Sequence, residues 1–246
     1  MMRESTTNTP FRLEAWKWAA MAILIYVFIA GWIVPLKPGI IKVSPDKAVA
    51  GEQVVIDVTG YNSAFASDST QLRAWLSLSG DTVLGALHVQ AWDDRHLSAS
   101  FYIPSVFPVR QEAYPLTLIL DHGMEGSSVL PNAIFITPAS VQDTSELALW
   151  YKDKIEHIHQ KAGMQYPFRN ILAETIRNTY FHVPMWFCMI ILFGASAWHS
   201  LQYYKKGDID SDRRSVAFIK VGLIFGLLGL VTGMLWARNT WNAYWS

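Results

Sequence analysis

Chemistry in this chain of 246 residues gathers in one short run, Tyr180-Phe181-His182-Val183-Pro184-Met185-Trp186, at the edge of a long apolar block. Pro184 has no N–H and steers Val183 away from helical dihedrals, so a helix is expected to begin or kink near Pro184, with His182 at its mouth. An imidazole at a boundary between lipid and water reaches a large amphipathic ligand. Haem is one such ligand, because its iron takes an axial histidine while the porphyrin faces need aromatic and apolar walls. The plainer alternative is a histidine that only hydrogen-bonds at a helix junction.

The second run is Gly233-Met234-Leu235-Trp236-Ala237-Arg238-Asn239-Thr240-Trp241-Asn242-Ala243-Tyr244-Trp245. If helical, it puts Trp241, Tyr244 and Trp245 on one face by the three-and-four rule, with Trp236 turned away. Gly222, Gly226, Gly229 and Gly233 precede or open it at spacings of four, three and four. Small residues so spaced let another helix approach closely. Tryptophans at a membrane end also arise simply as an aromatic belt.

Three apolar blocks must position these runs. The first, Trp16 to Val34, carries Lys17 near one end, has Trp16, Trp18 and Trp32 near its ends and is closed by Pro35. It reads as a membrane anchor, with a cleaved signal peptide as the rival, although no clear small-x-small cleavage site follows it. The second, Tyr180 to Tyr204, and the third, Val216 to Trp236, are each long enough for a crossing, which takes about 20 residues. Between them, Lys205, Lys206, Arg213 and Arg214 hug both membrane edges and mark the cytoplasmic side. The stretch from Pro38 to Arg169 then lies outside, and a cytoplasmic N-terminus with Arg3, Arg12 and Lys17 agrees. A hairpin of the second and third blocks returns His182 and the tryptophans to one outer surface.

The external stretch alternates like short strands at Ile40 to Val43, Val54 to Val58, Leu72 to Leu78, Leu97 to Ile103 and Leu116 to Leu120, with turns at Ala50-Gly51-Glu52 and Ser79-Gly80-Asp81. Strands at this spacing predict an immunoglobulin-like β-sandwich. Its opening, Val43-Ser44-Pro45 followed by Gly51 and by Val54 to Gly60, resembles modules of the IPT/TIG kind. Such a domain binds a partner through its loops or serves as a spacer. His88, His96 and His122 are scattered, without metal-site spacing. After Pro138 a helix is predicted from Ser145 to Lys161, and an amphipathic segment from Asn170 to Thr179. His157 and His159, two apart, would point to different sides of the first and stand in solvent. The single cysteine, Cys188, falls in the second apolar block and reads as a small apolar residue.

Twenty basic residues balance twenty acidic ones, and 51% of the chain is hydrophobic. These figures exclude a disordered chain and a strongly basic nucleic-acid binder. No Gly-x-Ser-x-Gly elbow, phosphate loop or zinc signature appears, so the chain is not expected to be an enzyme.

Taken together, Tyr-Phe-His-Val-Pro-x-Trp at one helix mouth and Gly-x-x-Trp-Ala-x-x-x-Trp-x-x-Tyr-Trp at its partner resemble the CcmC/CcsA cytochrome c assembly family. The resemblance covers about Ile171 to Ser246. It implies haem b as cofactor, His182 as a periplasmic axial ligand to its iron, and Trp236, Trp241 and Trp245 as the leading tryptophans of the porphyrin platform known as the WWD segment. Arg238, inside that segment, is placed to meet a haem propionate on electrostatic grounds alone. The implied role is haem presentation at the periplasmic face of a bacterial inner membrane, with a periplasmic haem chaperone and other cytochrome c maturation membrane proteins as partners. Family members continue through further helices and a second axial histidine, so a longer protein or a separate chain is expected to supply the remainder. The expected organisation is a first membrane helix within 1–37, an inserted sandwich over 38–140, amphipathic helices over 141–179 and a membrane hairpin over 180–246.

Overall fold

A computed structural model describes residues 15–67 and 71–241. The chain forms two compact units. The first holds three helices and the second is built from strands.

The helical unit begins with α1 (Ala15–Ile33), whose apolar run Lys17–Ile33 is shorter than either helix of the hairpin. Two helices, α2 (Ile176–Lys206) and α3 (Ile209–Trp241), are long and apolar enough to cross a membrane. Among the described residues, the three expected crossings are thus two by this measure, with the described part of α1 shorter. Arg3 and Arg12 lie outside the described residues. The α1 end is capped by Arg177, which donates to the carbonyls of Gly31 (3.4 Å), Trp32 (3.3 Å) and Val34. These carbonyls have no partner within the helix, and a cation also suits the negative end of its dipole.

The hairpin turn is tighter than the charged loop predicted from sequence. Gly207, at φ +67°, ends α2 with its N–H on Tyr203 O (2.7 Å), and Asp208 then caps α3 through Asp210 N (3.1 Å) and Ser211 Oγ (2.7 Å). Left-handed backbone suits glycine after a helix, and an aspartate side chain satisfies the free N–H groups of the next one. Lys205, Lys206, Arg213 and Arg214 therefore stand on helix ends rather than in a loop.

In the second unit one sheet has the order β1 (Gly39–Ser44), β3 (Gln53–Tyr61), β7 (His96–Tyr102), β6 (His88–Ala91). The other runs β2 (Lys47–Val49), β9 (Gly126–Thr137), β8 (Tyr114–His122), β4 (Leu72–Ser79), β5 (Thr82–Gly85). Alternate residues Val54, Ile56 and Val58, with Leu97, Ala99 and Phe101, meet Leu72, Ala74, Leu76, Leu116, Leu118 and Leu120 in one buried core. The period-2 alternation predicted from sequence thus produces a sandwich. Every strand read from the sequence is present; β2, β5, β6 and β9 are additional.

The predicted helices over 141–179 are a correction. Thr144–Tyr151 is a 3-10 helix, 152–168 runs largely without regular structure, and a second short 3-10 turn, Ala173–Thr175, leads into α2. Tertiary hydrogen bonds explain the difference. Asp153 accepts from Gly85 N (2.9 Å), and Asp121 accepts from His159 N (2.8 Å). Arg73 donates to the carbonyls of Glu156 (3.2 Å) and His157 (2.6 Å). A segment strapped to the sheet through its own backbone cannot spend those groups on a helix. His159 is not simply solvated, since its Nδ1 lies 2.8 Å from Asp121 Oδ2.

Candidate functional site

His182 sits in the second turn of α2, which begins at Ile176 rather than at Pro184. Pro184 lies inside the helix and cannot donate to Tyr180 O, so the backbone ladder is interrupted around His182. Helical spacing puts His182, Trp186, Met189, Phe193 and Ser196 of α2 on one face. Opposite them run Gly233, Gly229, Gly226, Gly222 and Ser215 of α3, in the reverse order that an antiparallel hairpin requires.

The fit along this seam is close. A β-carbon at Gly233 would fall 3.0 Å from His182 Cε1, one at Gly229 3.3 Å from Trp186 Cε2, and one at Gly222 2.6 Å from Phe193 Cε1. Glycine is therefore required for the large α2 side chains to seat against the α3 backbone. At the far end Ser196 and Ser215 exchange bonds, each hydroxyl 3.0 Å from the other's carbonyl. The glycine stripe expected to allow a helix to approach is matched residue for residue by α2.

At the His182 end the imidazole is held from both sides. Its Nδ1 is 2.9 Å from Thr232 Oγ1, and its Nε2 accepts from Trp186 Nε1 at 3.0 Å. Asn178 Nδ2 donates to Thr232 O at 2.6 Å, a further tie between the helices. Trp186 and Trp236 lie T-shaped to the ring, at centroid distances of 6.0 Å and 5.9 Å and interplanar angles of 77° and 73°. His182 is half-buried between them.

Of the residues predicted from sequence, the structure brings together His182 and Trp236. Trp236, expected to turn away, is the tryptophan of the second run that touches the imidazole. Trp241, assigned to the stacking face, is exposed at the last residue of α3, and Arg238 is exposed in its last turn. Trp245 and Tyr244 lie outside the described residues. Sequence reasoning assigned no role to Trp186 or Thr232. Both were within its reach, since Trp186 is four residues past His182 and Thr232 adjoins Gly233 in the stripe that faces α2.

As the seam stands, both imidazole nitrogens are engaged, Nδ1 with Thr232 and Nε2 with Trp186, so it offers iron no free lone pair. Among the described residues no three His, Cys, Asp or Glu side chains converge to hold a bare metal ion.

The molecule so defined is an apolar helical hairpin with a histidine–indole cluster in its seam, joined to a β-sandwich. No family model matches the chain, and no curated protein matches it. Solved structures that match it include the crystal structure of the Lin-41 filamin domain. That domain is 16% identical, with a TM-score of 0.23, over 42% of this chain and 87% of its own.

Proposed function

We propose that the chain binds haem b through His182 and presents it at the periplasmic face of a bacterial inner membrane, for transfer to a haem chaperone of cytochrome c maturation. The observation that supports this reading is the placement of His182, its Nδ1 2.9 Å from Thr232 Oγ1 and its ring beside Trp186 and Trp236. A ligating histidine needs its second nitrogen hydrogen-bonded, so that ring orientation and tautomer are fixed before the ligand arrives. Haem would need the Nε2 position of His182, where Trp186 Nε1 now donates. The chain's own residues orient that nitrogen, wall the ring with Trp186 and Trp236, and lock the two helices in register through the glycine seam. Arg238 supplies a cation for a propionate. On this reading the protein handles haem and catalyses no reaction of its own.

The full chain in lipid nanodiscs, titrated with ferric haem, should develop the absorption band of an imidazole-ligated haem. His182→Ala should abolish that band and weaken binding at least about tenfold, the loss of one good ligand bond. An unchanged band after the substitution removes His182 from the site.

A second reading, a membrane-anchored interaction module, is favoured by one observation. The edge strand β6 is flanked by Leu87 and Trp92, which are 63% and 67% exposed. A free edge with apolar side chains beside it accepts an added strand. Deleting Gly39 to Pro138 separates the readings. Loss of cytochrome c maturation with haem binding intact assigns the sandwich a partner, and normal maturation makes it a spacer.

A further inference from the structure

Two segments that meet in the sandwich enclose a pocket of about 440 Å³. One is the loop between β7 and β8, which contributes Arg110 and Gln111, and the other is the chain leaving β9, which contributes Ser140 and Gln142. Tyr114, the first residue of β8, also lines it. Both walls are tied to the core. Under the loop, the Tyr114 ring stacks on Phe107 with centroids 3.6 Å apart, and Phe107 packs against the buried Trp150, whose Nε1 donates to Val106 O at 2.9 Å. The second wall runs on into Asp143, whose N–H donates to Ser105 Oγ at 2.9 Å, while Ser105 Oγ donates to Glu146 Oε2 at 2.7 Å. A pocket held in this way loses little freedom when a ligand enters.

The polar groups inside it are unspent. Tyr114 Oη accepts from Gln111 N at 3.0 Å, and its own proton has no acceptor among the described residues. A phenol that is only 2% exposed leaves that donor unused at a cost, unless a ligand accepts from it. The side chains of Arg110, Ser140 and Gln142 likewise make no hydrogen bond or ion pair among the described residues. No carboxylate lines the pocket, and the two acids beyond its second wall are occupied, Asp143 with Ser145 N (2.9 Å) and Glu146 with Tyr102 and Ser105. One cation and several neutral donors thus face the pocket with no anion of the chain's own.

We propose that this pocket is a binding site for a small organic oxyanion, a carboxylate or phosphate that also carries hydroxyl groups. Arg110 supplies the planar fork that matches two oxygens of such a group. Tyr114 supplies a further donor, and Gln111, Ser140 and Gln142, which both donate and accept, suit hydroxyls on the rest of the ligand. The volume falls within the range of small-molecule sites, about 300–1,000 Å³. The site belongs to the sandwich and stands independently of the haem reading.

The full chain in phosphatidylcholine nanodiscs, titrated with glucuronate and with glucose 6-phosphate and followed by ligand-observed NMR, tests it, with glucose as the neutral probe. One or both anions should bind, and glucose should bind at least about tenfold more weakly, since it cannot make the charge-assisted bonds. Arg110→Gln should weaken the anion by a similar factor. Tyr114→Phe keeps the ring stack, removes one neutral donor and should cost about fivefold. Arg95→Gln removes the same charge from an exposed arginine outside the pocket and should change nothing. Arg110 is exposed, so its variant keeps the test open if loss of the phenol disturbs the core. Binding of the carboxylate alone or of the phosphate alone supports the site and names its acid group. No binding of either anion, glucose bound as tightly as the anions, or an Arg110→Gln variant that binds as Arg95→Gln does overturns it.

Discussion

Asp121→Ala should lower the stability of the β-domain by about 1–3 kcal/mol, the usual cost of losing a buried charged acceptor whose partner keeps some solvent. Asp121 is wholly buried, opposite Arg73 in the β4–β8 register, with Arg73 Nη2 2.5 Å and Nε 3.2 Å from its Oδ2. Its Oδ1 takes His159 N at 2.8 Å, so the same carboxylate pins the strap to the sheet. Arg73 also covers the Trp75 ring, its guanidinium 5.0 Å from the centroid. Losing Asp121 therefore frees the strap and leaves Arg73 half-sheltered without its anion.

Acid titration gives the sign. Burial pushes the Asp121 carboxyl up, but hydrogen bonds from Arg73 and His159 outweigh it and hold the carboxyl below its ordinary 3.8. A carboxyl depressed in the folded state stabilises the fold fully above 3.8, and that contribution fades as pH falls through the lower folded-state value. The gap in stability between the unaltered chain and Asp121→Asn should be full at pH 7 and shrink below about pH 4. Hydrogen exchange over 72–76 and 116–122 reads it. A gap that stays constant from pH 7 to pH 3 would show that ionised Asp121 is not the group holding the strap.

That carboxylate marks where sequence reasoning stopped. The alternation of Val54-Val55-Ile56-Asp57-Val58 fixes a face for each side chain whatever the strand pairs with, and for that reason the main strands were legible. Strand β9 was not. Pro131 cannot donate to a ladder and interrupts the alternation; in the sheet the run continues past it, with Asn132 at φ +51° opposite the register shift between Leu116 and Leu118. The stretch from Ser145 to Lys161 has the composition of a helix, but its partners Gly85, Arg73 and Asp121 lie far away in sequence, where no local pattern records them.

The candidate site shows the same division. His182 and the glycine stripe could be read directly, because a proline and small residues in an apolar block have few other uses. Which tryptophan meets the imidazole depends on the register of α2 against α3, and the turn at Gly207-Asp208 sets that register. With the turn shortened to these residues, Thr232, Gly233 and Trp236 come opposite His182.

Register is therefore the property to attack, and Gly222→Leu is expected to part the hairpin. A β-carbon at 222 would fall 2.6 Å from Phe193 Cε1 and 2.7 Å from Cδ1, with Leu192 Cβ at 3.4 Å behind them. Overpacking of this kind costs about 1–3 kcal/mol, rising where backbones must move. Gly194, one residue past Phe193, is the internal control. Nothing lies within 4 Å of a β-carbon there, so Gly194→Leu should be neutral or stabilise α2 by about 0.5–1 kcal/mol through helix propensity. Thermal unfolding in nanodiscs compares the two. The His182 resonances should also shift in Gly222→Leu, about three turns away, and stay put in Gly194→Leu, because only the former disturbs the seam that delivers Thr232 to the imidazole. Equal responses at the two glycines would mean that the α2–α3 contact does not set the position of His182.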